Sequence, residues 1–168
     1  MSRTPAAGLR VCCLLLLATP LLLLGGGCGE KCGPKKAVVT EVVDGDTVHL
    51  DTGDTVRLLM VNTPEITSGK NECYGEEARR FTTDLVEGKE VRLEYEDECT
   101  DRFQRLLAYV SIDGRELNAL LVERGYACAY YVPPSGEDRL AEFEELELDA
   151  RAASRGLWGS CQEITCQD

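Results

Sequence analysis

Short β-rich runs separated by turn residues fill positions 37 to 61, and apolar residues at helical spacing follow only after residue 75. Residues 37 to 43 read as a strand, Asp44-Gly45 as a turn and residues 47 to 50 as a second strand. Asp51-Thr52-Gly53-Asp54 is a hairpin turn before a strand over 55 to 61, which Pro64 ends. Gly75-Glu76-Glu77-Ala78 opens a helix with Ala78, Phe81, Leu85 and Val86 on one face and Gly88 as its stop. Strands are predicted at 89 to 95 and 106 to 111, with Asp113-Gly114 turning the chain and Asn118 capping a short helix that ends at Gly125. An extended stretch over 126 to 132 breaks at Pro133-Pro134-Ser135-Gly136. Leu140, Phe143, Leu146 and Ala150 then give one apolar face to a helix over 137 to 154. About five strands and three helices, hairpins first, predict an α+β architecture: a small β-barrel carrying helices.

At the N-terminus, Arg3 and Arg10 precede an apolar run from Val11 to Leu24 that closes in Gly25-Gly26-Gly27-Cys28. A basic start, a short greasy core and small residues at its end make residues 1–27 an export signal, too short in its core for a spanning helix. The stretch before Cys28 is similar to a bacterial lipoprotein signal, which implies acylation of Cys28 and a membrane anchor. Free secretion is the alternative. Residues 28–36, with Gly33-Pro34-Lys35-Lys36, read as a tether, 37–159 as one domain, and 160–168 as a tail carrying cysteines. The chain's 168 residues, 43% hydrophobic, allow one proper core.

Setting aside Cys12, Cys13 and the lipid candidate Cys28 leaves Cys32, Cys73, Cys99, Cys128, Cys161 and Cys166, an even set suited to three disulfides in an oxidising compartment. No paired CxxC is present, which discounts a zinc site. The formal net charge of −12 becomes −14 once the leader takes Arg3 and Arg10 with it. Such a surface counts against tight nonspecific DNA binding, but not against an enzyme with a local cationic cleft and a divalent metal. The single histidine, His49, lies in a strand without a second histidine to share a metal, so histidine-based nucleases and serine hydrolases fit poorly.

Asp44-Gly45-Asp46 alone is an ordinary turn, but the hairpin returns the chain so that Asp46 and Asn62-Thr63-Pro64-Glu65 lie towards one end of the paired strands. Carboxylates, amide oxygens and backbone carbonyls suit a hard cation. Arg57 interrupts the apolar run Val56, Leu58, Leu59, Met60, Val61, and a buried guanidinium needs a carboxylate or a phosphate; a structural ion pair and catalysis are equally good readings of it alone. Arg105 stands at a strand's start with Asp101 four residues before it. Arginine's planar fork matches phosphate, so two arginines suit a crowded phosphorus transition state.

Together these residues resemble the staphylococcal nuclease (thermonuclease) family over residues 38 to 158. The parallels are Val42-Val43-Asp44-Gly45-Asp46-Thr47-Val48, Arg57-Leu58-Leu59, Thr63-Pro64-Glu65, Tyr74-Gly75-x2-Ala78, Leu106-Leu107-Ala108-Tyr109-Val110, Asn118-x2-Leu121-Val122-x2-Gly125 and Gly156-Leu157-Trp158. The resemblance implies a five-stranded OB-type barrel with three α-helices and calcium-dependent hydrolysis of DNA and RNA that leaves 3'-phosphates. It implies Asp46, Asn62 and Thr63 as metal ligands, Thr63 through its carbonyl, and Glu65 as the carboxylate acting on the attacking water. Arg57 and Arg105 become the phosphate-binding pair, Asp101 an acidic neighbour and Tyr131 an aromatic packing on the nucleotide, with core packing as that tyrosine's plainer role. On the resembled fold, Cys73 is expected to pair with Cys99, Cys128 with Cys161 and Cys32 with Cys166. Two departures stand out: Asn62 replaces an aspartate, and Gln104 replaces a glycine before the second arginine. The function expected is that of a monomeric exported endonuclease; a nuclease-like barrel that binds nucleic acid or a protein without cutting is the alternative.

Overall fold

The computed structural model describes residues 32 to 166, so the expected export signal and Cys28 lie outside the described residues. In chain order the strands and helices are β1 (Lys36–Asp44), β2 (Thr47–Leu50), β3 (Thr55–Leu58), β4 (Val61–Asn62) and α1 (Gly75–Val86). Then come β5 (Glu90–Glu94), β6 (Leu106–Ile112), β7 (Arg115–Glu116), α2 (Leu117–Glu123), β8 (Cys128–Ala129), α3 (Leu140–Ala152) and the single turn α4 (Leu157–Ser160). Antiparallel pairing joins β3 to β2, β2 to β1, β1 to β5 and β5 to β6, and a parallel pairing of β3 with β6 closes the five-stranded barrel. β7 extends β6 as a hairpin, while β4 and β8 form their own antiparallel ladder at the barrel's mouth. Among the described residues no helix is long and apolar enough to cross a membrane.

The barrel is filled by the inward residues of every strand: Val39, Val48, Val56, Leu58, Val91 and Val110 are fully buried, and Leu117, Leu121 and Phe143 from α2 and α3 seal one end. Each such burial contributes roughly 1.5–3 kcal/mol. A second, smaller cluster gathers Cys128, Leu157 and Cys166 with Tyr74, Trp158 and Ile164, and it belongs to the C-terminal tail.

Four local expectations are revised. The strand expected over 55 to 61 stops at Leu58, because Met60 adopts a left-handed conformation (φ 64°) and the chain leaves β6 to reach β8. Asn118 is no cap; it is fully buried within α2, accepting from Val110 N and donating to Leu59 O and Ala108 O. Leu59 O lies at the break of the strand, and Ala108 O also accepts from Leu59 N, so the amide ties the two chains together where the ladder ends. Of the extended stretch 126 to 132, only Cys128–Ala129 pairs as a strand, and the last long helix is preceded by a 3-10 turn over Glu137–Arg139.

All six expected cysteines are bonded, but in none of the expected pairs: the bridges are Cys32–Cys99, Cys73–Cys161 and Cys128–Cys166. The expectation tied the two chain ends together. Instead Leu93 N donates to Lys35 O and Tyr95 Oη to Pro34 O, which carries residues 33 to 35 beside β5 and delivers Cys32 to Cys99. Residues 32 to 36 are thus fastened to the barrel. The tail after α4 doubles back over the loop before α1 and then reaches β8, which gives Cys161 to Cys73 and Cys166 to Cys128.

Candidate active site

Asp46 begins the site. It follows the tight β1–β2 turn and is buried. One carboxylate oxygen accepts from Thr63 N (2.7 Å) and Thr63 Oγ1 (3.0 Å), the other from Thr47 Oγ1 (3.1 Å), with Arg57 Nε at 3.2 Å. Two glycines let these parts meet. A Cβ on Gly45 would lie 2.6 Å from Thr63 Cγ2 and 2.8 Å from Ala78 Cβ, and one on Gly75 would lie 2.7 Å from Pro64 O, so the turn, loop 63 to 66 and the start of α1 pack together only without those side chains.

Arg57 alternates with buried Val56 and Leu58 and points towards the mouth, its side chain 14% exposed. Nη1 donates to Leu58 O and Val61 O, both at 2.7 Å, and Nη2 to Asn62 Oδ1 at 3.0 Å. With Nε on Asp46, a single N–H of the fork is left for an outside acceptor. The ion pair that an interrupted apolar strand demands is therefore present, and its partner is Asp46.

Asn62 departs from its expected place among metal ligands. Its oxygen serves Arg57 and its Nδ2 donates to Cys166 O at 3.0 Å, so the side chain bridges the arginine and the tail instead of turning to Asp46. The physical reason is that an amide both accepts and donates, whereas a carboxylate only accepts.

Glu65 is fixed from two sides. Oε1 accepts from Thr67 N (2.8 Å) and Thr67 Oγ1 (2.5 Å), while Glu65 N donates to Glu72 Oε2 (2.8 Å) and Glu72 N returns a bond to Glu65 O (3.0 Å). Partial burial pushes the Glu65 carboxyl up, but the Thr67 hydroxyl and backbone bonds outweigh it and hold the group below its ordinary range. Glu65 therefore stays ionised at neutral pH.

Arg105 is held locally. Asp101 Oδ1 accepts from Phe103 N and Arg105 N, and its Oδ2 takes Arg105 Nε and Nη2, each at 2.7 Å, which leaves Nη1 outward. Burial raises the Asp101 carboxyl, and these Arg105 bonds more than reverse it, so it sits below the usual aspartate value. Arg57 and Arg105 line one cleft of about 460 Å³, with Arg102, Phe103, Tyr130 and Val132 along its walls. Phe103 is 63% exposed and Arg102 and Arg105 lie over its ring at 4.7 and 5.4 Å. Tyr131, the aromatic expected on the nucleotide, packs against the main core, and its neighbour Tyr130 lines the cleft in its place. Successive side chains of an extended segment point to opposite sides, so adjacent tyrosines divide between wall and core.

Residues that sequence reasoning passed over are Asp44, Thr67, Glu72 and Thr165. Asp44 had a signal, its place two residues before Asp46. Burial first, and the neighbouring Asp46 carboxylate second, push the Asp44 carboxyl up to about 7. Buried Asp46 and half-buried Asp44, two carboxylates in mutual repulsion, with Thr63 bonded to Asp46, make a donor set that fits a hard divalent cation. Among the described residues no group of three or more His, Cys, Asp and Glu converges on one point, so such a cation would rely on neutral oxygens for the rest of its shell. Thr67, Glu72 and Thr165 had no signal, being polar loop residues of ordinary kinds.

The profile of the family described as "Staphylococcal nuclease homologue" matches residues 55–160, a span that holds Arg57, Thr63, Glu65 and Arg105 and starts after Asp46. The chain is 33% identical over 130 residues to the SPbeta prophage-derived endonuclease YokF of Bacillus subtilis, covering 73% of this chain and 44% of that one. It is likewise 33% identical over 130 residues to endonuclease YncB of Bacillus subtilis, at 73% and 61% coverage. With the thermonuclease of Staphylococcus intermedius it shares 33% over 126 residues, at 72% and 74% coverage. A closed five-stranded barrel with three helices and this profile define the class, and the chain belongs to the staphylococcal nuclease family. It spans about half the length of the two Bacillus relatives.

Proposed function

We propose that the protein is an endonuclease hydrolysing phosphodiester bonds of DNA and RNA outside the cytoplasm, with calcium as its metal. The observation that carries this reading is the cleft shared by Arg57 and Arg105, with Asp46 directly behind Arg57. Asp46, Asp44 and the Thr63 carbonyl would hold the cation, which when bound supplies Lewis-acid charge at the phosphate. Ionised Glu65, held by Thr67, would orient or deprotonate the attacking water. Arg105 presents Nη1, and Arg57 its remaining N–H, to charge developing on the phosphate oxygens. Substrate binding draws on Arg57, Arg102 and Arg105 in a cleft that Glu98 and Asp101 also line, in a chain whose net charge is −12, so affinity for bulk DNA is modest. The export-type leader and three disulfides support an extracytoplasmic place, with anchoring through Cys28 and action as a monomer.

One observation favours the rival barrel that binds without cutting: nearly all of Arg57's donors already have partners inside the protein. Digestion of plasmid DNA and of RNA with calcium, with magnesium and with chelator separates the two. Cutting in calcium that chelator abolishes is expected. Retarded but uncut nucleic acid under every metal condition would establish the rival.

A further inference from the structure

The tail from Cys161 to Cys166 touches both halves of the catalytic apparatus, although it is more than 90 residues from either in sequence. Its ends are bolted down by Cys73–Cys161, at the foot of the Glu65 loop, and by Cys128–Cys166, in the strand whose Cys128 is the register partner of Asn62. Between the bolts, Thr165 Oγ1 donates to Glu72 Oε2 (2.8 Å), the same oxygen that receives Glu65 N. At the far end Cys166 O receives Asn62 Nδ2, and Asn62 Oδ1 receives Arg57 Nη2. The tail also has an apolar anchor of its own, with Cys166 buried beside Leu157 and with Trp158 and Ile164 packed on them.

We infer that residues 161 to 166 form a strap that positions the reacting groups: Thr165 fixes the backbone at Glu65 through Glu72, and the Cys166 carbonyl aims the Arg57 guanidinium through Asn62. The inference rests on the reading that Glu65 and Arg57 act at the phosphodiester. It gives Asn62 a reason of its own. A residue between a guanidinium and a carbonyl oxygen must accept on one side and donate on the other, which asparagine does and aspartate does not. Asp at position 62 would set a carboxylate oxygen against Cys166 O and release the tail from Arg57. Misplacement of about 1 Å at a reacting group costs on the order of 100-fold in rate, so a strap of this kind acts on turnover more than on binding, to which Arg102 and Arg105 contribute without it.

The test uses the full chain with all disulfides intact. Thr165→Val removes one hydroxyl and is expected to lower kcat about tenfold with KM within about twofold, to speed hydrogen exchange at the Glu65 amide, and to be rescued by Thr165→Ser. Asn62→Asp is expected to lower kcat by a similar factor while the calcium concentration for half-maximal rate stays the same or rises; a metal-ligand role would lower it. Wild-type kcat and unchanged Glu65 exchange in Thr165→Val, or a reduced calcium requirement in Asn62→Asp, would overturn the strap. Glu65→Gln and Arg57→Lys serve as the reference. If they too keep wild-type turnover, the catalytic reading itself falls; if they are crippled while Thr165→Val and Asn62→Asp are not, the strap alone falls.

Discussion

Arg57 and Arg105 face one cleft and each is paired to an aspartate, yet they are held by opposite means. Arg105 takes its support from within one loop, from Asp101 four residues away and from the Phe103 ring. Arg57 gathers Asp46, two carbonyls released by the break at Met60, and an amide that is itself held by the tail. The first is a local device that survives changes elsewhere, and the second works only when barrel, loop and tail are all assembled. Placement by distant parts ties the site's competence to complete folding and oxidation of the chain.

The largest expected effect comes from replacing each arginine by lysine. Arg57→Lys should lower kcat about 1,000-fold and cost about 2–3 kcal/mol of stability, because a lysine cannot serve both carbonyls, Asn62 and Asp46 from one buried position. Arg105→Lys should lower kcat about 100-fold and cost under about 1 kcal/mol, its partner being a local, part-exposed loop aspartate. Steady-state kinetics and denaturant unfolding read both quantities. Equal stability losses would show that the two arginines are held alike.

Removing the bridge nearest Arg105 probes the same contrast. Replacement of Cys32 and Cys99 together by serine opens a cross-link of 67 residues' separation, which should cost about 4 kcal/mol on loop-closure entropy. At temperatures where the variant is folded, kcat should stay within about threefold of wild type, since Asp101 still holds Arg105 by bonds within one loop. A tenfold fall would mean that Arg105, too, is aimed from a distance.

The two neighbourhoods should also respond to pH with opposite sign. Asp44, beside the Asp46 that pairs with Arg57, is pushed up to about 7 from an ordinary 3.8 by burial and by the Asp46 carboxylate. The folded state therefore binds the extra proton, and the stability it contributes is complete below pH 3.8 and is lost as pH rises towards 7. Asp101, beside Arg105, is depressed, so its contribution is present above the ordinary aspartate value and is lost as pH falls below it. In chelator, unfolding free energy should decline between about pH 4 and 7, and Asp44→Asn should flatten that decline. Persistence of the slope in Asp44→Asn would assign it to another group.

What the chain disclosed of itself follows the same line between local and distant. The hairpin turn at 51 to 54, the apolar face of α1 and the Asp101–Arg105 pairing depend on spacing within a few residues, and all are visible in the sequence. Arg57's need for a carboxylate was visible too, because a guanidinium in an apolar run cannot be buried alone. The break at Met60 was not, since a left-handed methionine leaves no mark in composition. Nor were the disulfide partners, or the role of Asn62. Both depend on where the tail runs, and a hydrogen bond spanning 104 residues has no local signature.

The smallest effect concerns Gln104, the departure that the resemblance marks just before the second arginine. It is exposed and adopts φ 64°, a left-handed conformation that a side chain resists by about 1 kcal/mol or slightly more. Glycine removes that resistance but enlarges the freedom of the unfolded chain, a loss of about 0.4–1 kcal/mol. Gln104→Gly should therefore stabilise the protein by about 0.5 kcal/mol, while Gln104→Ala, which keeps both the Cβ and the strain, should change it by less than about 0.3 kcal/mol. Turnover should move less than twofold in either variant, because Asp101 fixes Arg105 through N, Nε and Nη2 whatever side chain precedes it. Chemical unfolding and kinetics on the two variants decide the matter. A destabilised glycine variant with altered kcat would mean that the Gln104 side chain itself stiffens or re-aims the loop, and that the local support of Arg105 is less self-sufficient than its hydrogen bonds to Asp101 imply.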